Sequence, residues 1–331
     1  MPSSLAATAR PSLPSAMTST FLRTLGAAAF LALGTSVSAQ TEAAFTHYII
    51  QPTLLNPALV GFDGEHEGRL NYRAAAAGLS DGPATYAAGY TGAIDRNYGV
   101  GAQVFAEDEG RFSRYGLRLA SAFHTRVRAD LEVAGGFAVA YSRERLRPGD
   151  GGEVGLDVND PELVQAMEGE HALDASLGFH ARHRSGAFAG VVLPRLVAAY
   201  LGDADGTARG ERGGPDNFIV RVGKQFTMPA RSFRVTPSLT VQRLYGVPFR
   251  VDAAATAGFL DDRFVAGLGY RLGEGSDLGV LLGVRVDKMR AYYSYDVNFG
   301  EFQSYHAGGH ELTLGFDFRS RNKWADGARY E

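Results

Sequence analysis

The sequence predicts an all-β chain: a transmembrane antiparallel outer-membrane β-barrel of about 14 strands, with 12 as the lower count. Three observations predict it. Segments of period-two alternation recur from about residue 68 to residue 319. Beyond Gln40 no run of 18 apolar residues occurs, so no spanning helix is available. Glycine supplies 42 of 331 residues, beside 20 Phe and 15 Tyr, without a collagen or low-complexity period. That composition leans away from helices.

The alternation is explicit along several stretches. Leu131, Val133, Phe137, Val139 and Tyr141 share one register, against Glu132, Ala134, Gly136, Ala138, Ala140 and Ser142. The same split runs from Phe233 to Gln242, from Asp277 to Asp287 and from Glu311 to Arg319, with Leu281 as the exception. Successive strand residues point to opposite faces, so each segment owns one apolar face and one polar or small face. A soluble sandwich would bury the apolar faces, whereas a barrel turns them to lipid over segments of ~9–11 residues. Long segments, a Gly- and Ala-rich polar register and aromatics near segment ends (Phe112, Tyr115, Phe123, Tyr141, Phe218, Phe226, Phe249 and Phe259) favour the barrel. An Arg facing lipid at mid-depth costs roughly 2–4 kcal/mol. Arg234, Arg285 and Arg319 accordingly stand off the apolar register.

Taken in order, residues 1–39 read as a signal peptide. Arg23 precedes the short apolar run Leu25 to Leu33, and small residues up to Ala39 suit cleavage; Met17 is an alternative start. The mature chain is expected in the cell outer membrane. Residues 40–67 do not alternate and are expected to form a periplasmic or plug-like segment. Residues 68–319 form the barrel, with strands expected at 68–77, 84–94, 97–107, 111–126, 129–146, 172–185, 186–200, 217–228, 231–244, 249–260, 262–273, 277–289, 290–299 and 308–319. The divisions within 172–200 and 277–299 carry the weakest turn signals. Pro148 to Glu170 and Gly202 to Pro215 read as surface loops, the first holding a helix start at Asp160-Pro161-Glu162. Residues 320–331 form a polar tail.

Several chemistries are disfavoured. The balance of 33 basic against 36 acidic residues gives no nucleic-acid footprint. With no Cys, disulfides, thiolate-bound metals and a Cys nucleophile are excluded. His306 and His310 flank a Gly-Gly pair, but four strand residues part them by ~13 Å, too far to share one ion without a turn. His180 and His183 fall on opposite faces of a strand. The glycines at 267, 269 and 273 miss the dinucleotide fingerprint, and Ser294 or Ser304 lacks a nucleophile-elbow context. No catalytic residue, cofactor or metal is expected. Asp296 and Glu311 are expected to face the lumen, within reach of Arg partners.

Short motifs sharpen this reading. Asn56-Pro57-Ala58-Leu59-Val60-Gly61 resembles the NPA-x-x-G element that opens the mature part of the PorP/SprF family. Asn71-Tyr72-Arg73 with Gly82-Pro83-Ala84-Thr85, then Tyr293-Ser294-Tyr295-Asp296 and Gly309-His310-Glu311, are similar to further elements of that family. The chain departs from it at Ala74 to Ala77, where many members carry Gln-Trp. The resemblance spans roughly residues 45–319. It implies a non-enzymatic barrel of the type IX secretion and gliding machinery, supporting export or surface attachment of cargo bearing a C-terminal sorting domain. Implied partners are periplasmic ring lipoproteins, a peptidoglycan-binding lipoprotein and outer-membrane lipids. The Asn56, Pro57, Ala58 and Gly61 element has a structural or interaction role in this view, as do Tyr72, Arg73, Pro83, Tyr295, Asp296, Gly309, His310 and Glu311. From the alternation alone, a porin-like channel for small or hydrophobic solutes fits equally well.

Overall fold

An alternating segment set in a bilayer must pair every backbone N–H and C=O with a neighbour and leave no edge, so the strands close on themselves. In the computed structural model they are β1 (His66–Ala74), β2 (Ala84–Ala93), β3 (Tyr98–Glu109), β4 (Phe112–Arg128) and β5 (Leu131–Leu146). Next come β6 (Glu170–His183), β7 (Ala187–Leu201), β8 (Phe218–Lys224), β9 (Phe226–Met228) and β10 (Phe233–Leu244). The set ends with β11 (Val247–Phe259), β12 (Phe264–Gly273), β13 (Gly275–Val286), β14 (Met289–Asn298) and β15 (Gly309–Phe318). Both β8 and β9 pair with β10 and together make one interrupted stave. The result is a closed 14-strand antiparallel barrel, sealed where β15 meets β1 with Leu314 opposite Leu70.

The structure describes residues 45–79, 81–147, 161–201, 216–245, 247–273, 275–299 and 308–318. The expected signal peptide, the polar tail, Ser304, His306 and Arg319 lie outside them. All fourteen expected segments are present, including the weakly divided pairs, which turn at residues 184–186 and 287–288. The barrel starts at His66 rather than residue 68, because His66 and Glu67 pair with Phe318 and Asp317 of the last strand. The Asp160-Pro161-Glu162 signal opens a helix, Pro161–Glu168, where proline in the first turn lacks only an N–H the helix does not use.

Exposure follows the alternation. On β15, Leu312 and Leu314 are 41% and 42% exposed, whereas Glu311 and Thr313 are 1% and 0% exposed. Leu281, the apolar residue in a polar register, also faces inward and sits opposite Gly267 of β12, whose missing side chain makes room for it. At one end of the barrel the turns are two to four residues long. The long connections, 75–83, 147–169, 202–217 and 299–308, all lie at the other. In barrels of this kind the short turns are periplasmic and the long loops external.

Leu119 lies near mid-strand on the outer face of β4, and Val127 near its short-turn end, at 52% and 59% exposure. Leu119→Arg should cost about 2–4 kcal/mol and Val127→Arg about 0–1 kcal/mol. Denaturant unfolding from lipid vesicles reads both; equal costs would contradict this membrane placement.

Candidate functional site: the occupied lumen

Residues 45–62 carry neither strand nor long-helix periodicity, and they fold as three 3-10 turns, Thr46–Ile49, Pro52–Leu54 and Pro57–Leu59. Pro52 and Pro57 begin two of them, where a fixed φ helps and no N–H is needed. These turns lie inside the barrel and run from its long-loop end to its short-turn end.

At the long-loop end the wall holds the segment by charge. Glu311 accepts the backbone N–H groups of Thr46 (2.6 Å) and His47 (3.2 Å). Asp296 accepts from the Thr46 hydroxyl at 2.6 Å. The Arg73 guanidinium donates to Asp296 at 2.8 Å, to Glu311 at 3.1 Å and to the Thr46 hydroxyl at 2.8 Å. A second cluster abuts the first: the Tyr48 hydroxyl donates to Asp252 at 2.6 Å, and Arg250 and Arg271 flank the same carboxylate. Deep burial makes these charges costly alone and tolerable only when paired and hydrogen-bonded.

His47 belongs to the lumen segment rather than to a spanning strand. Its burial, helped by the Arg73 charge, lowers its pKa from 6.5 to about 3. The ring is therefore neutral, and its Nδ1 meets the Thr313 hydroxyl at 2.6 Å. The 3.3 Å approach of Nδ1 to Glu311 is thus no ion pair at neutral pH.

Toward the short-turn end the Asn-Pro-Ala element takes over. Asn56 caps its own turn by accepting the Ala58 N–H at 2.9 Å, and its amide donates to the Phe179 carbonyl at 2.9 Å. Pro57 and Ala58 lie against Gly136 of β5 and Gly178 of β6, a directly opposed pair. A Cβ on Gly136 would stand 2.7 Å from the Ala58 backbone, which native contacts do not allow. His124 donates from Nε2 to the Val60 carbonyl at 3.0 Å, and Gly61 then turns the chain at φ +68° between Gly92 and Gly99. Phe62 sits edge-on to His124 and His180 at 5.3 and 5.2 Å, with Arg182 above its ring and 2.7 Å from Asp63.

The sequence-derived residues divide by face. Arg73, Asp296 and Glu311 meet inside, as do Asn56, Pro57, Ala58 and Gly61. Tyr72, Tyr295 and His310 lie on the outer face: Tyr72 against Tyr86 at 5.0 Å, and His310 against Tyr295 at 5.0 Å with the Tyr293 hydroxyl 2.6 Å away. Pro83 closes the loop before β2 by accepting the Ala75 N–H at 2.9 Å, and Gly309 opens β15 opposite Asp296. His180 faces Phe62, while His183 pairs with Asp130 at the β6–β7 turn. Ser294 is buried inside, and its hydroxyl has no partner among the described residues. Among the described residues no group of three or more His, Asp or Glu is placed to hold a metal. Sequence reasoning missed Thr46, His47 and Tyr48, and the receiving glycines at 99, 136 and 178. A cluster of glycines in the polar register of neighbouring strands was the signal that something lies against that wall.

Fold and site together define an outer-membrane β-barrel that carries its own N-terminal segment in its lumen. Residues 37–316 match the family described as type IX secretion system membrane protein PorP/SprF. The chain belongs to that family. No curated protein matches it. Similar solved structures include a TodX monoaromatic hydrocarbon channel variant at 12% identity and TM-score 0.48, covering 86% of this chain and 95% of the other. The Ralstonia pickettii toluene transporter TbuX is similar at 12% identity and TM-score 0.47, covering 80% and 92%. The KdgM porin is similar at 7% identity and TM-score 0.38, covering 76% and 99%.

Two outcomes follow from the charge network. Glu311→Ala strands two backbone N–H groups and leaves Arg73 with one carboxylate, and should cost about 3 kcal/mol. Hydrogen exchange should quicken at residues 46–49 while the strand amides hold; uniform slow exchange would contradict the network. His47 acts through linkage: its unfolded form gains a proton below pH 6.5, its folded form only near 3. The His47 contribution to stability should therefore be full above 6.5 and be lost as pH falls toward 3, with a slope of at most roughly 1.4 kcal/mol per pH unit. His47→Gln should flatten this slope when thermal midpoints are compared from pH 7 down to 4.

Proposed function

We propose that the protein is a non-enzymatic outer-membrane component of the type IX secretion and gliding machinery, exported by its N-terminal signal. In this role it supports export or surface attachment of cargo proteins with a C-terminal sorting domain. Family membership over residues 37–316 carries the reading.

The lumen segment, bound to the wall at the long-loop end, supports an assembly part over an open channel. A solute crossing from the long-loop end meets Arg73, Asp296 and Glu311 already bound to one another and to Thr46. Residues 45–62, within the segment 40–67 that the sequence offers as periplasmic or plug-like, are spent inside the barrel. The short-turn end offers another surface. There β4 and β5 run beyond β3, whose pairing stops at Tyr98 opposite Phe123, and expose Arg126, Val127, Arg128 and Asp130. Ring and peptidoglycan-binding lipoproteins would dock at that hairpin, and cargo at the long loops. No cofactor takes part.

Deleting the gene should abolish secretion or surface retention of sorting-domain proteins, scored by comparing culture fluid with washed cells. Purified barrel should give no steady current in planar bilayers and should co-purify with ring lipoproteins after gentle solubilisation. A constant open pore without such partners would establish the channel alternative instead.

A further inference from the structure

Between the lumen segment and the β7, β8, β10 and β11 wall lies a cavity of about 1220 Å3 that reaches the short-turn end. Five arginines on it have carboxylate partners: Arg126 and Arg182 with Glu132, Arg234 with Asp262, and Arg285 and Arg290 with Asp317. Arg221 of β8 has none among the described residues. Its guanidinium donates to the Tyr48 and Ile49 carbonyls at 3.2 and 3.0 Å, and its Nε is buried without an acceptor. Two backbone carbonyls and the rings of Tyr48 and Phe188, 5.7 and 5.6 Å from the guanidinium carbon, orient this cation, and none of them carries a negative charge.

The surroundings of Arg221 break the polar-inside rule. Phe188, Val192 and Ile219 face the lumen beside it, Val192 directly opposite Ile219 and Gly190 opposite Arg221. Ile49, Ile50 and Leu55 of the lumen segment, all half-buried, line the other side of the cavity. These two facing apolar patches favour an apolar chain in that part of the cavity, since burying such surface is worth ~25 cal/mol per Å2. A guanidinium with no carboxylate partner among the described residues favours a carboxylate or phosphate at that chain's end, through charge-assisted hydrogen bonds.

We propose that this cavity is a binding site for an amphiphile with one apolar chain and one terminal anion, held by Arg221. A free alkanoate and a membrane-derived lysophospholipid acid share that chemistry. The site is independent of the secretion role, and an empty cavity would leave that role untouched.

The test uses the full-length barrel in an amphipol, free of micelles, with 11-(dansylamino)undecanoate as the fluorescent probe. Decanoate should displace the probe at a concentration at least tenfold lower than decanol or decyltrimethylammonium. Lysophosphatidate outcompeting decanoate would assign the site to a lipid source, and the reverse order to a free alkanoate. Arg221→Gln, its folding confirmed by heat-dependent gel mobility, should bring decanoate down to the level of decanol. Anions displacing no better than decanol from the unmodified protein would overturn the proposal. So would an unchanged anion preference in folded R221Q. If R221Q does not fold, the series of acids, alcohol and cation on the unmodified protein decides alone.

Discussion

Charge cannot face the acyl chains, and the rest of the structure follows from that exclusion. Every arginine and carboxylate within the membrane-crossing stretch of a strand must turn inward, where it needs a partner. Arg73, Asp296 and Glu311 come from three adjacent strands, β1, β14 and β15, so the barrel itself supplies one cation and two anions to one spot. One negative charge is left over. The N–H groups of Thr46 and His47 and the Thr46 hydroxyl converge on it, and in that sense the lumen segment completes the wall.

The opposite side of the lumen solves a steric problem rather than an electrostatic one. Gly136 and Gly178 stand opposite each other on β5 and β6; the Pro57–Ala58 backbone fits where a side chain at Gly136 would be, and the Asn56 amide oxygen and Pro57 ring where one at Gly178 would be. Proline suits such a fit because it presents no N–H that the crowded interior would have to satisfy. Ala58 is wholly buried there. Asn56 supplies the two hydrogen bonds the turn needs, one to its own chain and one to β6. The order Asn, Pro, Ala thus reads as cap, rigid turn and close contact.

The fold was legible because alternation is a local property. Each strand announces itself within ten residues, and Leu312 to Phe318 needs no distant partner to be read. Even the exception, Leu281, was visible as an exception, although its explanation in Gly267 required the register between β12 and β13. The course of residues 45–62 was not legible in the same way. Three short 3-10 turns have no repeat to detect, and their partners lie far along the chain, Thr46 finding Asp296 and Glu311 more than 200 residues away. Arg73, Asp296 and Glu311 could be assigned to the inner face by register, but their meeting depends on β15 closing onto β1. Arg221 left no trace, since an arginine in a polar register looks the same whether or not a carboxylate awaits it.

The two fastenings of the lumen segment differ in strength, and the difference has a direction. At the long-loop end the carboxylates are buried, so withdrawing Thr46 and His47 strips three hydrogen bonds from them, each worth about 1.5–3 kcal/mol because its acceptor is charged. At the short-turn end the Arg182–Asp63 pair has side chains 40% and 69% exposed, and exposed pairs contribute only about 0–1 kcal/mol. A molecule arriving from the short-turn end therefore meets the weaker fastening first, beside Phe62 and the mouth of the large cavity. Displacing Asp63 exposes two charges that water already reaches, whereas displacing Thr46 does not happen without new partners for Glu311. Between the two fastenings stands Tyr48, whose hydroxyl donates to Asp252 and whose carbonyl accepts from Arg221, so that it ties the two halves together.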